Sequence, residues 1–243
     1  MKRVKKMSIK LIAFDLDGTL TQHKTKLSEK HRDILKKLSE KYSLVMVGAG
    51  QCMRIFEQMN RFPIDIIGNY GMQYYRYSCE LQTIEPVYDI QAPCNREKCE
   101  MLVTGFREKF GFTEFVGDNV EYHSSGCITF PILGTKAKQE DKLAFDPDRK
   151  KRRAFYSEVV AAFSDYNVFV GGSSSFDMAP KPYNKYYALD KYCNEKGIKH
   201  DEVIFVGDDY GPGGNDESVF HSDFGFIKVD DYKEFENCVK ELL

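Results

Sequence analysis

A short apolar run, residues 9–14, ends directly at two acidic residues, Asp15 and Asp17, which are followed by Gly18. An apolar run of this length, closed by a glycine turn, is typical of a buried strand in a parallel sheet. The loop after such a strand lies at the edge of the sheet where open α/β folds bind their ligands. The pattern therefore predicts a buried strand with a reactive site at its carboxyl end.

The same pattern of an apolar run followed by a small or polar loop recurs near both ends of the chain. Apolar residues at helical spacing lie between the runs of the first part. Strands that alternate with helices predict a doubly wound α/β domain with a parallel sheet. The further strands predicted in this way are residues 44–47, 64–67, 203–206 and 224–229.

The middle of the chain has a different pattern. Residues 116–133 alternate in the manner of a strand pair, and residues 168–178 again resemble strands. Antiparallel strands with helices beside them indicate a separate α+β domain. We therefore predict a discontinuous core, residues 1–82 and 184–243, with residues 83–183 inserted as a cap domain.

Composition excludes several classes of function. The formal net charge is −2, and the tyrosines form no array with basic residues, so nothing favours nucleic acid or an anionic membrane. The seven cysteines form no C-x-x-C pair, which indicates reduced thiols. Residues 1–7 are basic, but no signal-peptide core follows, and no apolar run approaches the roughly 20 residues of a membrane helix. We expect a cytoplasmic protein without nucleic-acid or membrane partners.

The first acidic loop supplies two carboxylates for phosphoryl transfer. Asp15 can attack phosphorus and form an aspartyl-phosphate. Asp17 can protonate the leaving oxygen and later deprotonate the incoming one. Lys185, at the start of a later helix, is a candidate to neutralise Asp15 and the phosphoryl group. The structural alternatives are an ordinary Asp-Gly turn and a surface lysine.

A second acidic loop, residues 207–216, follows a later strand. Mg²⁺ prefers oxygen ligands and takes one or two carboxylates plus substrate phosphate. Asp15 and Asp208, on neighbouring strand ends, are therefore candidate metal ligands. The alternative is a surface loop in which Asp216 caps the next helix and Asp209 is solvated.

These segments resemble the haloacid dehalogenase (HAD) superfamily of phosphotransferases. Motif one matches at Asp15-x-Asp17-Gly18-Thr19, motif three at Lys185, and motif four at Gly207-Asp208 with Asn215-Asp216. Within the superfamily the chain is most similar to the eukaryotic-type phosphomannomutases, from Ile9 nearly to the C-terminus. The segments that carry this similarity are residues 17–21, Glu57-Gln58, Gly171-Gly172, Ser175-Phe176-Asp177 and residues 212–216.

The resemblance implies a Rossmann-like core and an α/β cap. It implies Mg²⁺ held by Asp15, the carbonyl of Asp17, and Asp208. It also makes a homodimer possible. The remaining residues that it implies are Ser175 and Asp177 as sugar contacts, with Thr19, Asn215 and Asp216 in support.

One departure from the superfamily lies in motif two, which elsewhere supplies a Ser or Thr hydroxyl to the phosphoryl group. This chain has Gly48, Ala49 and Gly50 at the corresponding loop. Backbone N–H groups of this loop remain candidates for binding phosphate oxygens.

A second departure concerns the arginines with which phosphomannomutases grip the distal phosphate. Their positions fall near Lys24, Gly117, His123 and Thr135, which do not reproduce bidentate recognition. His123 is either a weak contact to phosphate or sugar, or a solvent-facing polar residue. The basic residues that could replace the lost charge are interpreted as solvated; they are Arg107, Lys136 and Lys138.

A mutase must hold a bisphosphorylated intermediate while it turns round, whereas a phosphatase needs only water. We therefore prefer a Mg²⁺-dependent phosphatase that hydrolyses a small phosphate monoester, by resemblance a sugar phosphate, through an aspartyl-phosphate. The alternative is a phosphomannomutase or phosphohexomutase. A second alternative, suggested by the missing hydroxyl, is a catalytically weak protein that binds a phosphosugar or a partner.

Overall fold

The computed structural model describes residues 9–243, and residues 1–8 lie outside the described residues. The strands are β1 (Leu11–Phe14), β2 (Ser43–Val47), β3 (Asp65–Gly68), β4 (Gln73–Ser78), β5 (Thr83–Asp89), β6 (Glu121–Tyr122), β7 (Ile128–Pro131), β8 (Tyr166–Phe169), β9 (Ser175–Pro180), β10 (Val203–Gly207) and β11 (Gly225–Lys228). The α-helices are α1 (Glu29–Ser39), α2 (Cys52–Gln58), α3 (Arg96–Phe110), α4 (Gln139–Phe145), α5 (Lys150–Arg153), α6 (Tyr156–Ala162), α7 (Lys185–Lys196), α8 (Glu217–Phe220) and α9 (Phe235–Val239).

The predicted first strand, β1, lies inside a seven-stranded sheet of order β11-β10-β1-β2-β3-β4-β5. The pairs from β11 to β3 are parallel, whereas β4 and β5 extend the sheet by antiparallel pairing. Phe14 aligns with Met46 of β2 and with Val206 of β10. The loops after these three strands therefore leave the sheet at the same edge.

Helices cover both faces of this sheet. In β1, Phe14 packs into one core with Leu35 of α1, while Ala13 packs into the other with Leu189 of α7. Successive strand side chains point to opposite faces, so a strand with two covered faces reads as a continuous apolar run. The predicted α/β fold, with a Rossmann-like doubly wound parallel sheet, is confirmed.

The described residues divide into two compact units. The first comprises the described residues up to Asp89 together with Lys185–Tyr210 and Asp216–Leu243. The second comprises Ile90–Asn184 and Gly211–Asn215. The proposed domain boundary after residue 82 coincides with the start of β5, which pairs with β4 in the sheet of the first unit. We keep the division into core and cap domains as a proposal.

The second unit contains an antiparallel sheet of order β6-β7-β9-β8. Its apolar core joins Val103 of α3, Phe130 of β7, Phe176 of β9, and Phe155, which directly precedes α6. The short loop Gly211–Asn215 is attached to this unit, because the Val170 amide donates to the Gly213 carbonyl at 2.8 Å.

Arg107 of α3 contradicts the prediction of a solvated charge, since it is only 3% exposed. Its guanidinium donates to the carbonyls of Phe112, Pro131 and Ile132 at 3.1, 2.7 and 2.7 Å. Burial lowers the pKa of Arg107 to about 10. Arg107 therefore joins α3 to the end of β7, and its guanidinium forms its hydrogen bonds with residues of the same unit.

Across residues 9–243, we find no helix that combines the length and the apolar character needed to span a lipid bilayer.

Candidate active site

Asp15 lies directly beyond β1 and is held there by both backbone and side chain. Its amide donates to the Val206 carbonyl of β10 at 2.9 Å, and Asp15 as a whole is 6% exposed. The Lys185 Nζ lies 2.6 Å from Asp15 Oδ1. The carboxylate that the sequence predicts as nucleophile is therefore buried and paired with the predicted lysine.

Lys185 is the first residue of α7 and is fully buried, which contradicts its interpretation as a surface lysine. Its Nζ also donates to Asp216 Oδ1 at 2.7 Å. Burial disfavours the charged lysine, but the charges of Asp15 and Asp216 outweigh it and raise the pKa of Lys185. A permanent positive charge therefore sits between two carboxylates.

Asp208 follows β10 and approaches the first loop closely. Thr19 Oγ1 donates to Asp208 Oδ1 at 2.9 Å. Gly18 has φ +100°, and a Cβ at this position would collide with the Asp208 carboxylate. Glycine is needed here both for the positive φ and for the close approach. The two acidic loops, 189 residues apart at Thr19 and Asp208, thus meet.

Three carboxylates converge at this point, which makes the site a candidate metal centre. Asp15, Asp208 and Asp216 each offer an oxygen, and these atoms lie within 4.8 Å of one another. Burial and the charges of Asp15 and Asp216 raise the pKa of Asp208 to about 8. Burial raises the pKa of Asp216 to about 6, against the opposing charge of Lys185. Because one lysine does not balance three carboxylates, this all-oxygen donor set fits a hard divalent cation.

The Asp17 carboxylate lies outside this trio and is oriented by α2 instead. Its Oδ1 accepts from Gln58 Nε2 at 2.6 Å and from the Lys24 amide at 2.7 Å. Its Oδ2 lies 3.6 Å from Arg54 NH1. The carboxylate predicted to move a proton is therefore fixed by two side chains of one helix, and neither partner was predicted as a site residue.

The glycine loop after β2 carries a side chain that sequence reasoning missed. The carbonyls of Gly48 and Gly50 accept from the amides of Tyr70 and Asn69, which fixes the loop around Ala49. The Arg54 guanidinium lies against Gly50, where a Cβ would collide with it. Arg54 also donates to Gln58 at 2.7 Å. Residues four apart on a helix share a face, and this spacing is the signal that could have identified the pair.

The loop between Asp208 and Asp216 differs from the surface loop considered as an alternative. Asp216 precedes α8 but makes no side-chain capping bond; its Oδ2 accepts from the Asp209 amide at 3.0 Å. Asp209, expected to be solvated, is 8% exposed. Asn215 belongs with residues 211–214 to the second unit, and its supporting role stays a prediction.

The second unit brings together the residues predicted to contact a sugar. His123 Nε2 lies 3.2 Å from Thr129 Oγ1, which donates to Asp177 Oδ1 at 3.1 Å. Ser175 Oγ donates to the same Asp177 oxygen at 3.4 Å. Burial raises the pKa of Asp177, although Thr129 and Ser175 favour the carboxylate. The structure thus adds Thr129 as the link in a polar cluster on adjacent strands, which sequence reasoning missed.

Comparison with known proteins reveals relatives that match this chain along most of their length. A phosphomannomutase of Saccharomyces cerevisiae is 27% identical over 219 residues, covering 86% of this chain and 84% of the relative. A phosphomannomutase of Encephalitozoon cuniculi is 26% identical over 247 residues, covering 96% of this chain and 94% of the relative.

Solved structures share the fold at low identity. The IMP-nucleotidase of Plasmodium falciparum has a TM-score of 0.63 at 14% identity, covering 97% of this chain and 68% of that one. A phosphatase of the HAD superfamily from Bacteroides thetaiotaomicron has a TM-score of 0.60 at 16% identity, covering 97% and 95%. The family model for haloacid dehalogenase-like hydrolases matches residues 12–222. The chain, which resembles phosphomannomutases within this group, therefore belongs to the haloacid dehalogenase-like hydrolase family.

Proposed function

We propose that this chain moves a phosphoryl group from a small phosphate ester to Asp15 and then to an acceptor oxygen. The observation that carries the proposal is the buried cluster in which Lys185 bonds to Asp15 and Asp216 beside Asp208. A carboxylate held in this way is a suitable covalent nucleophile. Phosphoryl transfer depends mainly on positioning and on stabilising charge, which a buried cation beside the nucleophile supplies.

The residues around the nucleophile divide the remaining work. In the proposal, Asp15 attacks phosphorus in line, and Lys185 offsets the negative charge that gathers there. Asp17, held by Gln58 and the Lys24 amide, gives a proton to the departing oxygen and later takes one from the acceptor. In the proposal, the amides of Ala49 and Gly50, with the Arg54 guanidinium beside Gly50, bind anionic oxygens, whereas the Gly48 amide already donates to the Ile67 carbonyl at 2.9 Å.

We propose Mg²⁺ as the cation that binds at this acidic cluster. Asp15, Asp208 and the carbonyl of Asp17 would bind it, because hard oxygen ligands and a small number of carboxylates suit this ion. When bound, it orients the phosphate and withdraws negative charge. Asp216 contributes indirectly, since its Oδ1 accepts from Lys185 and its Oδ2 accepts from the Asp209 amide.

Mg²⁺ is expected to raise the Tm of the wild-type protein, and Asp208→Asn is expected to remove the effect. A ligand that binds only the folded state stabilises it by about 2.7 kcal/mol at a hundred times its Kd. The Tm increase should grow as the pH rises through about 8, because a protonated Asp208 binds a cation weakly. Thermal denaturation with MgCl₂ or EDTA measures this.

The control for this experiment is Asp33→Asn, which alters an exposed carboxylate paired with Lys36. It should keep the full response to Mg²⁺. An undiminished response in Asp208→Asn would remove Asp208 from the metal site, and turnover in EDTA equal to that in MgCl₂ would contradict the need for a divalent ion.

Isomerisation of a hexose phosphate is the first candidate for the overall reaction. The relatives named above are phosphomannomutases, and they favour this reaction over the hydrolysis that the sequence alone led us to prefer. In a mutase the phosphoryl group of Asp15 returns to a second hydroxyl of the sugar. Ser175 and Asp177 are proposed as contacts to that sugar.

Hydrolysis is the second candidate, and a feature of the second unit favours it. Gly117 lies against Thr135, whose hydroxyl donates to Asp118 Oδ2 at 2.9 Å. Phosphomannomutases carry arginines near the positions of Gly117 and Thr135, and here the Asp118 carboxylate beside them would repel phosphate. A weak distal site would let water reach the aspartyl-phosphate before the sugar has turned.

A single assay separates the two reactions. Mannose 1-phosphate or glucose 1-phosphate is supplied with Mg²⁺ and the matching hexose bisphosphate, and both 6-phosphate and inorganic phosphate are followed with time. For a mutase we expect the 6-phosphate to form faster than inorganic phosphate. Release of inorganic phosphate as fast or faster would show that hydrolysis is the main reaction.

A cytoplasmic location and a homodimer stay predictions from the sequence.

A further inference from the structure

We propose that Cys94 and Cys99 form a thiol pair that a hydroperoxide oxidises to an intrachain disulfide. The two Sγ atoms lie 3.9 Å apart in the second unit. Both thiols are free in the structure, so the proposal concerns a modification of the reduced protein. Neither residue takes part in the phosphoryl-transfer site, and the proposal does not depend on the proposed function.

The start of α3 explains why these thiols meet. Asn95 is the N-cap of α3, and its side chain accepts from the Lys98 amide at 3.0 Å. Cys94 therefore occupies the position before the cap and Cys99 the fourth helical position. Side chains at these two positions pack against each other in many helices and fix the angle at which the chain enters. The contact between the sulfurs is thus imposed by backbone geometry.

The two thiols differ in a way that assigns the order of reaction. Cys94 is half-exposed, whereas Cys99 is 3% exposed. Burial and the neighbouring Cys94 raise the pKa of Cys99 to about 12, so this thiol stays protonated. A dissolved hydroperoxide can reach the half-exposed Cys94 and not the buried Cys99. Cys94 is therefore the sulfur that reacts first.

The chemistry balances with a hydroperoxide, R–O–O–H, as the oxidant. The Cys94 thiolate attacks the outer oxygen, the O–O bond breaks, and the alkoxide leaves as R–OH after taking a proton, which leaves Cys94 as a sulfenic acid. The Cys99 sulfur then attacks the Cys94 sulfur. The S–O bond breaks, and the hydroxide leaves as water with the Cys99 proton. Two thiols and one hydroperoxide yield one disulfide, one alcohol and one water.

The test is mass spectrometry of the full-length protein after brief treatment with hydrogen peroxide. The intact mass should fall by about 2 Da, because two hydrogen atoms are lost, and dithiothreitol should restore it. Trypsin cleaves after Lys98, between the two cysteines. Without reduction, the peptides 77–96 and 99–107 should therefore remain linked.

Peptide 77–96 also contains the exposed Cys79, so Cys79→Ser is the matched control and must keep the linked peptides. Cys94→Ser and Cys99→Ser must lose them. Cys94→Ser should also lose the sulfenic acid that dimedone traps in Cys99→Ser. Linked peptides that persist in Cys94→Ser, or sulfinic acid at Cys94 without any linkage, would overturn the proposal.

Discussion

Asp15→Asn is expected to lower the rate of phosphoester turnover by at least about 10³-fold, because an amide cannot form the aspartyl-phosphate. The fold should survive, since Lys185 keeps its bond to Asp216 when the Asp15 charge is lost. Hydrolysis of p-nitrophenyl phosphate in the presence of MgCl₂ measures the rate. Circular dichroism and thermal denaturation verify the fold.

The result for Asp15→Asn decides between an enzyme and a binding protein. Wild-type rates no higher than those of the variant would favour the catalytically weak binding protein. A variant that keeps the wild-type rate, while the wild type turns over rapidly, would show that another group attacks phosphorus. Asp33→Asn, an exposed carboxylate paired with Lys36, is the control for nonspecific loss of charge.

Lys185→Met is expected to impair both turnover and stability. The side chain is fully buried between Asp15 and Asp216, and its removal leaves two buried carboxylates without their cation. Breaking a buried ion pair in this way costs about 3–5 kcal/mol of unfolding free energy. The rate should fall by about 10²-fold or more, because the charge beside the nucleophile is lost. Urea denaturation and the p-nitrophenyl phosphate assay provide the two measurements.

A double variant separates the structural from the catalytic role of this lysine. Adding Asp216→Asn to Lys185→Met removes one unpaired carboxylate, so part of the lost stability should return while turnover stays low. Lys196→Met, an exposed lysine at the other end of α7, should change neither quantity. If Lys185→Met denatures at the wild-type urea concentration, the buried ion pairs do not contribute as described.

The backbone framework was accessible from the sequence because strand signals are local. The apolar run ending at Phe14 predicted the end of β1 correctly. Asp15 and Asp208 were identified because parallel strands deliver their loops to one edge, and Lys185 because it lies at the start of a helix between the two acidic loops in the chain. The antiparallel addition of β5 to the main sheet was not visible, since strand pairing is decided by contacts distant in sequence.

The side-chain environment was less accessible. Nothing near Lys185 in sequence signals that it is buried, because both of its carboxylate partners come from other elements. Arg107 was misinterpreted for the same reason: its acceptors are backbone carbonyls of loops that follow it. Gln58 and Arg54 were not predicted, because their role depends on the face of α2 that lies against Asp17, which the sequence does not indicate.

The attachment of residues 211–215 to the second unit constrains any attempt to exchange substrate preference between relatives. Arg153 donates to the Pro212 carbonyl at 3.0 Å, and Val170 to that of Gly213, so the short loop is shaped by residues far upstream. A chimaera that transplants only residues 90–184 would leave this loop facing foreign partners while its two ends still carry Asp208 and Asp216. A chimaera of such proteins should therefore exchange two segments together, residues 90–184 and residues 211–215, so that the loop keeps its hydrogen-bond partners.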